Sequence, residues 1–378
     1  MIVTIVCDVL GEENNGTTIA AFNLIRSLRA RGHTVRVVCP DEMYAGEPDF
    51  FIMPTYNFGE FLNNYVHKNG VEIAKLDRDV LAAAIDGADV VHAMLPFALG
   101  AAAAKMTREQ GIPLTAGFHC QAENITNHIF LMNVGLANQF TYKVLYKRLY
   151  RYCDAIHYPT QFICDVFEQE VGPTNHYVIS NGVGREFTPA ETPREPDGTF
   201  RILFTGRLSR EKSHRVLIDA AARSRHSDEI RLFFAGDGPL KEELAEYSRQ
   251  VLAHPPVVGF YSRAELVELI RSCDLYVHPA EIEIEAIACL EAIACGLVPV
   301  ISDSPRSATN HFALTDRNRF RCNDADDLAA QIDYWIEHPQ ERAQCREQYL
   351  GYAEQFAFDR CMDRMEGMLL DVVQGKRA

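Results

Sequence analysis

The chain has 378 residues, long for one ordinary domain and suited to two of nearly equal size. Hydrophobic residues make up 47% and charged residues 24%, the balance of a soluble globular protein, and no run of about 20 apolar residues offers a membrane-spanning helix. A net charge of -15 argues against a nucleic-acid partner but leaves membrane contact open, because surface binding depends on local patches.

Ile2 to Cys7 is too short, and lacks the basic flank, for a signal peptide; it reads as a buried strand. Gly11 to Thr18 follows as a glycine-containing turn before a helix over Thr18 to Arg31, which carries apolar residues at Ile19, Phe22, Leu24, Ile25 and Leu28 and stops at Gly32. Such a turn suits phosphate at a helix start, although an ordinary turn and cap would look the same. It is not G-x-G-x-x-G, which disfavours a dinucleotide oxidoreductase. Strands over Thr34 to Cys39, Val90 to Ala93 and Leu114 to Phe118 continue a parallel βαβ series. His119 ends the last of these, and Glu123 and Asn124 lie close behind it. A lone histidine can equally be a packing residue.

Thr141 to Arg151 is a basic helix in an acidic protein, with Lys143, Lys147, Arg148 and Arg151 among Tyr142, Tyr146, Tyr150 and leucines. One reading has the cations and tyrosines resting on anionic lipid. The other is a packed helix whose charges face water. Ser180-Asn181-Gly182-Val183 reads as a hinge, and Pro189 to Gly198 as a linker. A second series follows, with strands over Arg201 to Thr205, Ile230 to Ala235, Val257 to Gly259, Leu275 to His278 and Val298 to Ser302.

Thr205-Gly206-Arg207-Leu208 to Lys212 leads from strand to helix, and places two cations where a departing diphosphate could be stabilised. Both are read as exposed, so that removing either leaves folding stability unchanged. Gly236-Asp237-Gly238-Pro239-Leu240 reads as a structural tight turn. Glu281 to Glu285 alternates carboxylates with isoleucines; a short helix follows and Gly296 stops it. Glu291 sits in apolar company, which is costly unless something binds it. With seven residues between Glu283 and Glu291, the two carboxylates lie about 10 Å apart along a helix start, suited to hydroxyls on either side of a docked phosphate. A competing reading takes them as solvated charges favoured by the helix dipole. The last segment, Phe356 to Val373, is amphipathic. Eleven scattered cysteines without a C-x-x-C pair suggest reduced thiols in a cytosolic protein and no zinc site.

These motifs together resemble the retaining glycosyltransferases of family 4. The resemblance implies an α/β GT-B fold: two Rossmann-like, doubly wound domains facing a central cleft. Residues 1–186 would bind the acceptor, with a helix at about 356–378 crossing back, and residues 187–355 would bind the nucleotide sugar. It implies Arg207 and Lys212 on the donor diphosphate, Glu283 on the sugar and Glu291 on the ribose. Gly16, Thr17, Gly206, Ala286 and Ile287 would border the donor, with Val258 and Phe260 at the base. His119 would lie near the transferred sugar, and Glu123 and Asn124 near the acceptor. Leu290 to Gly296 match the family's ending, but Ile284-Glu285-Ala286 lack its aromatic and its glycine. The Glu-x-Glu-x-Glu start resembles the branch that glucosylates diacylglycerol, implying UDP-glucose as co-substrate, no bound metal or cofactor, and a cytoplasmic enzyme at the inner membrane face. A soluble or polysaccharide acceptor is the alternative. From other classes stand a UDP-sugar 2-epimerase and a non-catalytic sugar-nucleotide binding protein. The oligomeric state stays open.

Overall fold

The computed structural model describes residues 1–10, 16–56, 74–123, 134–192 and 194–376. The chain divides into two compact units, Met1–Asn181 with Cys361–Ala378, and Gly182–Arg360.

The first unit runs β1 (Ile2–Val6), α1 (Gly16–Ala30), β2 (Thr34–Cys39), β3 (Phe50–Ile52), α2 (Arg78–Ile85), β4 (Val90–Ala93), α3 (Ala98–Gln110), β5 (Leu114–Gly117), α4 (Gly135–Arg148), β6 (Ala155–Tyr158), α5 (Gln161–Val171) and β7 (His176–Val178). The strands form one parallel sheet in the order β3-β2-β1-β4-β5-β6-β7. Strands covered on both faces must be mostly apolar, and β1 and β4 are so apart from Thr4 and His92, whose side chains hydrogen-bond to the Ala84 carbonyl and to Thr115 Oγ1. Phe118, at the end of β5, packs its ring 4.6 Å from Phe167 and 5.0 Å from Tyr150. Phe97 offers α3 no side-chain cap, and Asp8 fills that role: its carboxylate accepts from the amides of Leu99 at 2.8 Å and Gly100 at 3.4 Å.

The second unit holds β8 (Phe200–Thr205), α6 (His214–Arg223), β9 (Ile230–Ala235), α7 (Lys241–Val251), β10 (Val257–Gly259), α8 (Arg263–Arg271), β11 (Leu275–His278), α9 (Ile287–Ala294), β12 (Pro299–Ser302), β13 (Arg319–Phe320), α10 (Ala325–Glu337) and α11 (Pro339–Ala353). Its sheet is also parallel, in the order β10-β9-β8-β11-β12-β13. Strand order therefore reverses between β8 and β11, and ligands of doubly wound sheets bind beyond the strand ends at such a point.

The chain passes between units at the Asn181-Gly182 turn, where Gly182 takes φ 84°. It returns within the last helix, α12 (Phe358–Val373), which belongs to the first unit from Cys361 onward. Met362, Met365, Met368, Leu369 and Val372 are buried there. At the return, Val183 pairs with Ala357: the Val183 amide donates to the Phe356 carbonyl at 2.8 Å, and the Phe358 amide to the Val183 carbonyl at 3.0 Å.

Candidate active site

The turn after β8 and the loop after β11 meet at the switch point of the second sheet. Gly236 and Gly238 make room for the first of these. A Cβ at Gly236 would lie 2.0 Å from the Gly206 carbonyl oxygen, and one at Gly238 2.5 Å from that of Leu208. The turn read as structural from its sequence therefore presses directly against the Gly206–Leu208 backbone. Arg207, carried by that backbone, is exposed.

Lys212 follows on a single turn of 3-10 helix. The Glu281 amide donates to the Glu211 carbonyl at 2.8 Å, joining this turn to the loop after β11, and the Lys212 ammonium pairs with Glu283 Oε2. Lys212 is thus mostly buried and ion-paired, at 17% side-chain exposure, which corrects the reading of it as a solvated charge. Glu283 is held from behind: its amide donates to the Arg306 carbonyl at 3.3 Å and its carbonyl accepts from Ala308 at 2.8 Å. Burial alone would raise its carboxyl, but the Lys212 cation and His278 outweigh burial and hold it at about 2.

Helix α9 starts at Ala286, which lies in the left-handed region at φ 56° and ψ 58°. The backbone shape expected from glycine is thus kept by alanine, at a strain of about 1–2 kcal/mol. Ala286→Gly is expected to be neutral or stabilising by up to about 1 kcal/mol, the relief being offset by glycine's greater unfolded freedom. Ala286→Val should destabilise, because a β-branched residue tolerates this conformation poorly. Thermal denaturation of both variants checks the point, and stabilisation by valine would contradict it. At its far end α9 closes as expected: the Gly296 amide donates to Ile293 at 2.8 Å and that of Leu297 to Ala292 at 3.0 Å, with Gly296 at φ 91°.

Glu291, on α9 with Ile287 in the same first turns, is 9% exposed. Its Oε1 lies 4.0 Å from Arg263, which also pairs with Glu186 and lies over the Phe187 ring. Burial lifts the Glu291 carboxyl to about 7 against the pull of the Arg263 cation, and Glu186 adds to the rise. Val258 is half-buried in β10, and Phe260 beyond it is 78% exposed.

In the first unit Gly16 opens α1 and is exposed, and Thr17 is half-buried; residues 11–15 of that turn lie outside the described residues, as does Asn124. The His119 ring folds back over Gly117, where a Cβ would come 2.5 Å from its Nε2, and it meets the His157 ring edge-on at 5.7 Å. Burial first, then His157 and His92, keep it neutral. Glu123 is buried and accepts from Tyr142 Oη at 2.9 Å and Asn138 Nδ2 at 3.4 Å. Its carboxylate serves the packing of α4, a role its sequence position did not suggest.

On α4 and just beyond, Lys143, Lys147, Arg148 and Arg151 are exposed. The tyrosines are not their companions at the surface. Tyr142 and Tyr150 are each 2% exposed, and Tyr146 packs edge-on against Phe167. Tyr142, Leu145 and Leu149 recur at helical spacing and form the inward stripe, which corrects the reading of the tyrosines as interfacial. The outer face instead carries Leu136 at 80% and Phe140 at 70% exposure.

Cys164, Glu168 and His176 bring potential metal ligands within 4.8 Å of one another. Glu168 Oε1 there already accepts from the Thr174 amide, the Thr174 hydroxyl and His176 Nδ1, at 2.7 to 2.8 Å, so it pins the loop before β7. Burial pushes the Cys164 thiol up to about 12, away from the thiolate a metal needs.

Two family profiles match nearly end to end: Glycosyltransferase Family 4 over residues 14–187 and Glycosyl transferases group 1 over residues 188–349. A GDP-mannose-dependent alpha-mannosyltransferase of Corynebacterium glutamicum is 26% identical over 319 residues, 80% of this chain and 72% of that one. An alpha-monoglucosyldiacylglycerol synthase of Streptococcus pneumoniae is 24% identical over 229 residues, 57% of this chain and 51% of its own. Among solved structures, Anabaena Alr3699/HepE in complex with UDP-glucose superposes with a TM-score of 0.73 at 17% identity, over 98% of this chain and 99% of that one. The glycosyltransferase WaaG, involved in lipopolysaccharide biosynthesis, gives 0.67 at 15%, over 98% and 100%. With its two doubly wound sheets and both halves matched, the chain belongs to family 4 of the glycosyltransferases, enzymes of GT-B fold that draw on a nucleotide sugar.

Proposed function

We propose that this enzyme is a retaining hexosyltransferase that moves glucose from UDP-glucose to a hydroxyl of a membrane lipid such as diacylglycerol. Arg207 and Lys212 hold the diphosphate as charge builds on it, Glu283 orients the sugar, and Glu291 takes the ribose. Backbone at Gly206, Ala286 and Ile287 borders the phosphates, and Val258 and Phe260 edge the base. Gly16, Thr17 and His119 keep the roles the family resemblance gives them. The leaving phosphate takes the acceptor proton. Retention fits the alpha linkage in the names of the mannosyltransferase and the diacylglycerol synthase, since the UDP-glucose proposed here as donor is itself alpha-linked.

The observation that carries the lipid acceptor is the outer face of α4. Leu136, Phe140, Lys143 and Lys147 recur at intervals of three and four residues, so apolar side chains and cations share one exposed stripe. Among the described residues no helix is long and apolar enough to cross a membrane. Attachment would therefore be peripheral. Each cation near an anionic surface is worth about 1 kcal/mol, so the two on this stripe give about a thirtyfold preference, to which Arg148 and Arg151 add as they approach the surface.

Binding to vesicles containing phosphatidylglycerol is expected, with weak binding to phosphatidylcholine alone and release by salt. Changing Lys143, Lys147, Arg148 and Arg151 to Gln should abolish it, and Leu136→Ser with Phe140→Ser should weaken it at any salt concentration. No vesicle binding at any lipid charge would move the acceptor to a soluble glycoside. Mannosyl transfer from GDP-mannose is the second reading, favoured by the name of the Corynebacterium relative. A thermal-shift panel of nucleotide sugars, then turnover with diacylglycerol vesicles, decides between them: stabilisation by GDP-mannose and not UDP-glucose would overturn the donor assignment.

A further inference from the structure

Glu283 has a second neighbour that its sequence motif does not announce. His278, the last residue of β11, places Nε2 3.4 Å from Glu283 Oε2. Its ring is 2% exposed and lies nearly parallel to two others, Phe204 and Tyr276, each at 5.9 Å. Its Nδ1 lies 3.0 Å from Tyr276 Oη, and that hydroxyl lies 3.1 Å from Thr205 Oγ1. Of the proton arrangements open to this row, one turns a donor toward Glu283 without a second proton on the ring. Thr205 donates to Tyr276, Tyr276 donates to Nδ1, and the imidazole carries its hydrogen on Nε2, facing the carboxylate. At 3.4 Å Nε2 is nevertheless long for a hydrogen bond and has no well-angled partner among the described residues.

The arrangement is a close partner and a distant one competing for a single oxygen. Lys212 and His278 both face Oε2, and these contacts leave Oε1 to a ligand. The close partner is the one with a second task. A diphosphate brings more negative charge than one carboxylate, and Lys212 turning toward it would leave Glu283 mostly buried without its counter-charge, a costly state.

We propose that His278, aimed by Tyr276 and Thr205, is a positioning residue that takes over Glu283 Oε2 when Lys212 turns to the donor diphosphate, keeping Oε1 directed at the sugar. This inference rests on the proposed roles of Glu283 and Lys212. The shift needed is a few tenths of an ångström, enough to turn the long contact into a hydrogen bond to a charged acceptor. Loss of Lys212's influence also favours the imidazole's hold on protons, since burial first and then that cation lower its affinity for them.

The test is steady-state kinetics with the sugar nucleotide, alongside calorimetric binding of free UDP. His278→Leu fills the space without a donor. It should cut kcat/KM for the sugar nucleotide about tenfold to a hundredfold and leave the UDP Kd within about twofold. His278→Gln can place an amide donor near the Nε2 position and should recover most of the loss. Tyr276→Phe frees the imidazole from its anchor and should fall between. Rescue by Gln with UDP affinity intact supports the proposal; a merely structural role predicts that Leu and Gln lose UDP affinity and turnover together. Unchanged kinetics in a folded His278→Leu enzyme, or no difference between Leu and Gln, would overturn it. Glu283→Ala serves as control. If that variant turns over normally, the site reading itself fails; if it is inactive while His278→Leu is not, only the positioning role does.

Discussion

Lys212→Ala is expected to lose at least about a hundredfold in turnover and to unfold more easily, whereas Arg207→Ala should lose similar activity with unchanged stability. The catalytic expectation is common to both. A departing nucleoside diphosphate gathers charge in the transition state, and removing one fixed cation from such a site costs about 3–4 kcal/mol. The stability expectation separates them because the two side chains live in different surroundings. Arg207 stands exposed on the turn after β8, where charges contribute little to folding. Lys212 is the near partner of a mostly buried carboxylate. Deleting it leaves Glu283 with the long contact to His278 and costs about 3 kcal/mol or more. Chemical denaturation of the ligand-free variants, with turnover under saturating donor, checks both halves. Full turnover by either variant would sink the diphosphate assignment, and equal stability in the two would contradict the ion-pair argument.

That asymmetry marks where sequence reading stops. The strands of both sheet centres were legible, since runs such as Ile230 to Ala235 leave few other ways to hide so much apolar surface. Three of the four outer strands were not, although Val257–Gly259 was. Phe50–Ile52, His176–Val178 and Arg319–Phe320 hold two or three residues each, too few to show a period. Arg207, Lys212, Glu283 and Glu291 stood out because charge in apolar or glycine-rich company needs an explanation. The pairing of Lys212 with Glu283 did not, because it joins residues on two different strand-end loops that only the sheet order brings together. His278 was hidden for another reason. Leu275-Tyr276-Val277-His278 reads as one more core strand, and nothing local says that its last residue faces a carboxylate. On α4 the tyrosines misled because aromatic residues suit a core and a membrane interface alike. Their spacing with Leu145 and Leu149, rather than their composition, decides which.

The two carboxylates of the donor site should fail in different ways. Glu283→Ala is expected to spare affinity for free UDP and to lose about a hundredfold or more in use of the sugar nucleotide, because its proposed partner is the sugar. Glu291→Gln should weaken free UDP, since an ionised acceptor for the ribose hydroxyls is replaced by a weaker one. The same change should stabilise the ligand-free enzyme at alkaline pH. Glu291 binds its proton more tightly folded than unfolded, its carboxyl moving from an ordinary value of 4.5 to about 7. Its favourable contribution is therefore complete below about 4.5 and is lost as pH rises through about 7. At pH 8 the folded chain carries a buried charge that glutamine lacks, a gain on the order of 2–3 kcal/mol. At pH 5 most of that gain is gone, because the wild-type carboxyl is already protonated in the folded state. Denaturation midpoints at the two pH values, with UDP titrations of both variants, read the whole pattern. Equal loss of UDP affinity in Glu283→Ala and Glu291→Gln would refute the division of labour. A glutamine variant less stable than wild type at pH 8 would show that Arg263, 4.0 Å away, holds the carboxylate more firmly than burial opposes it.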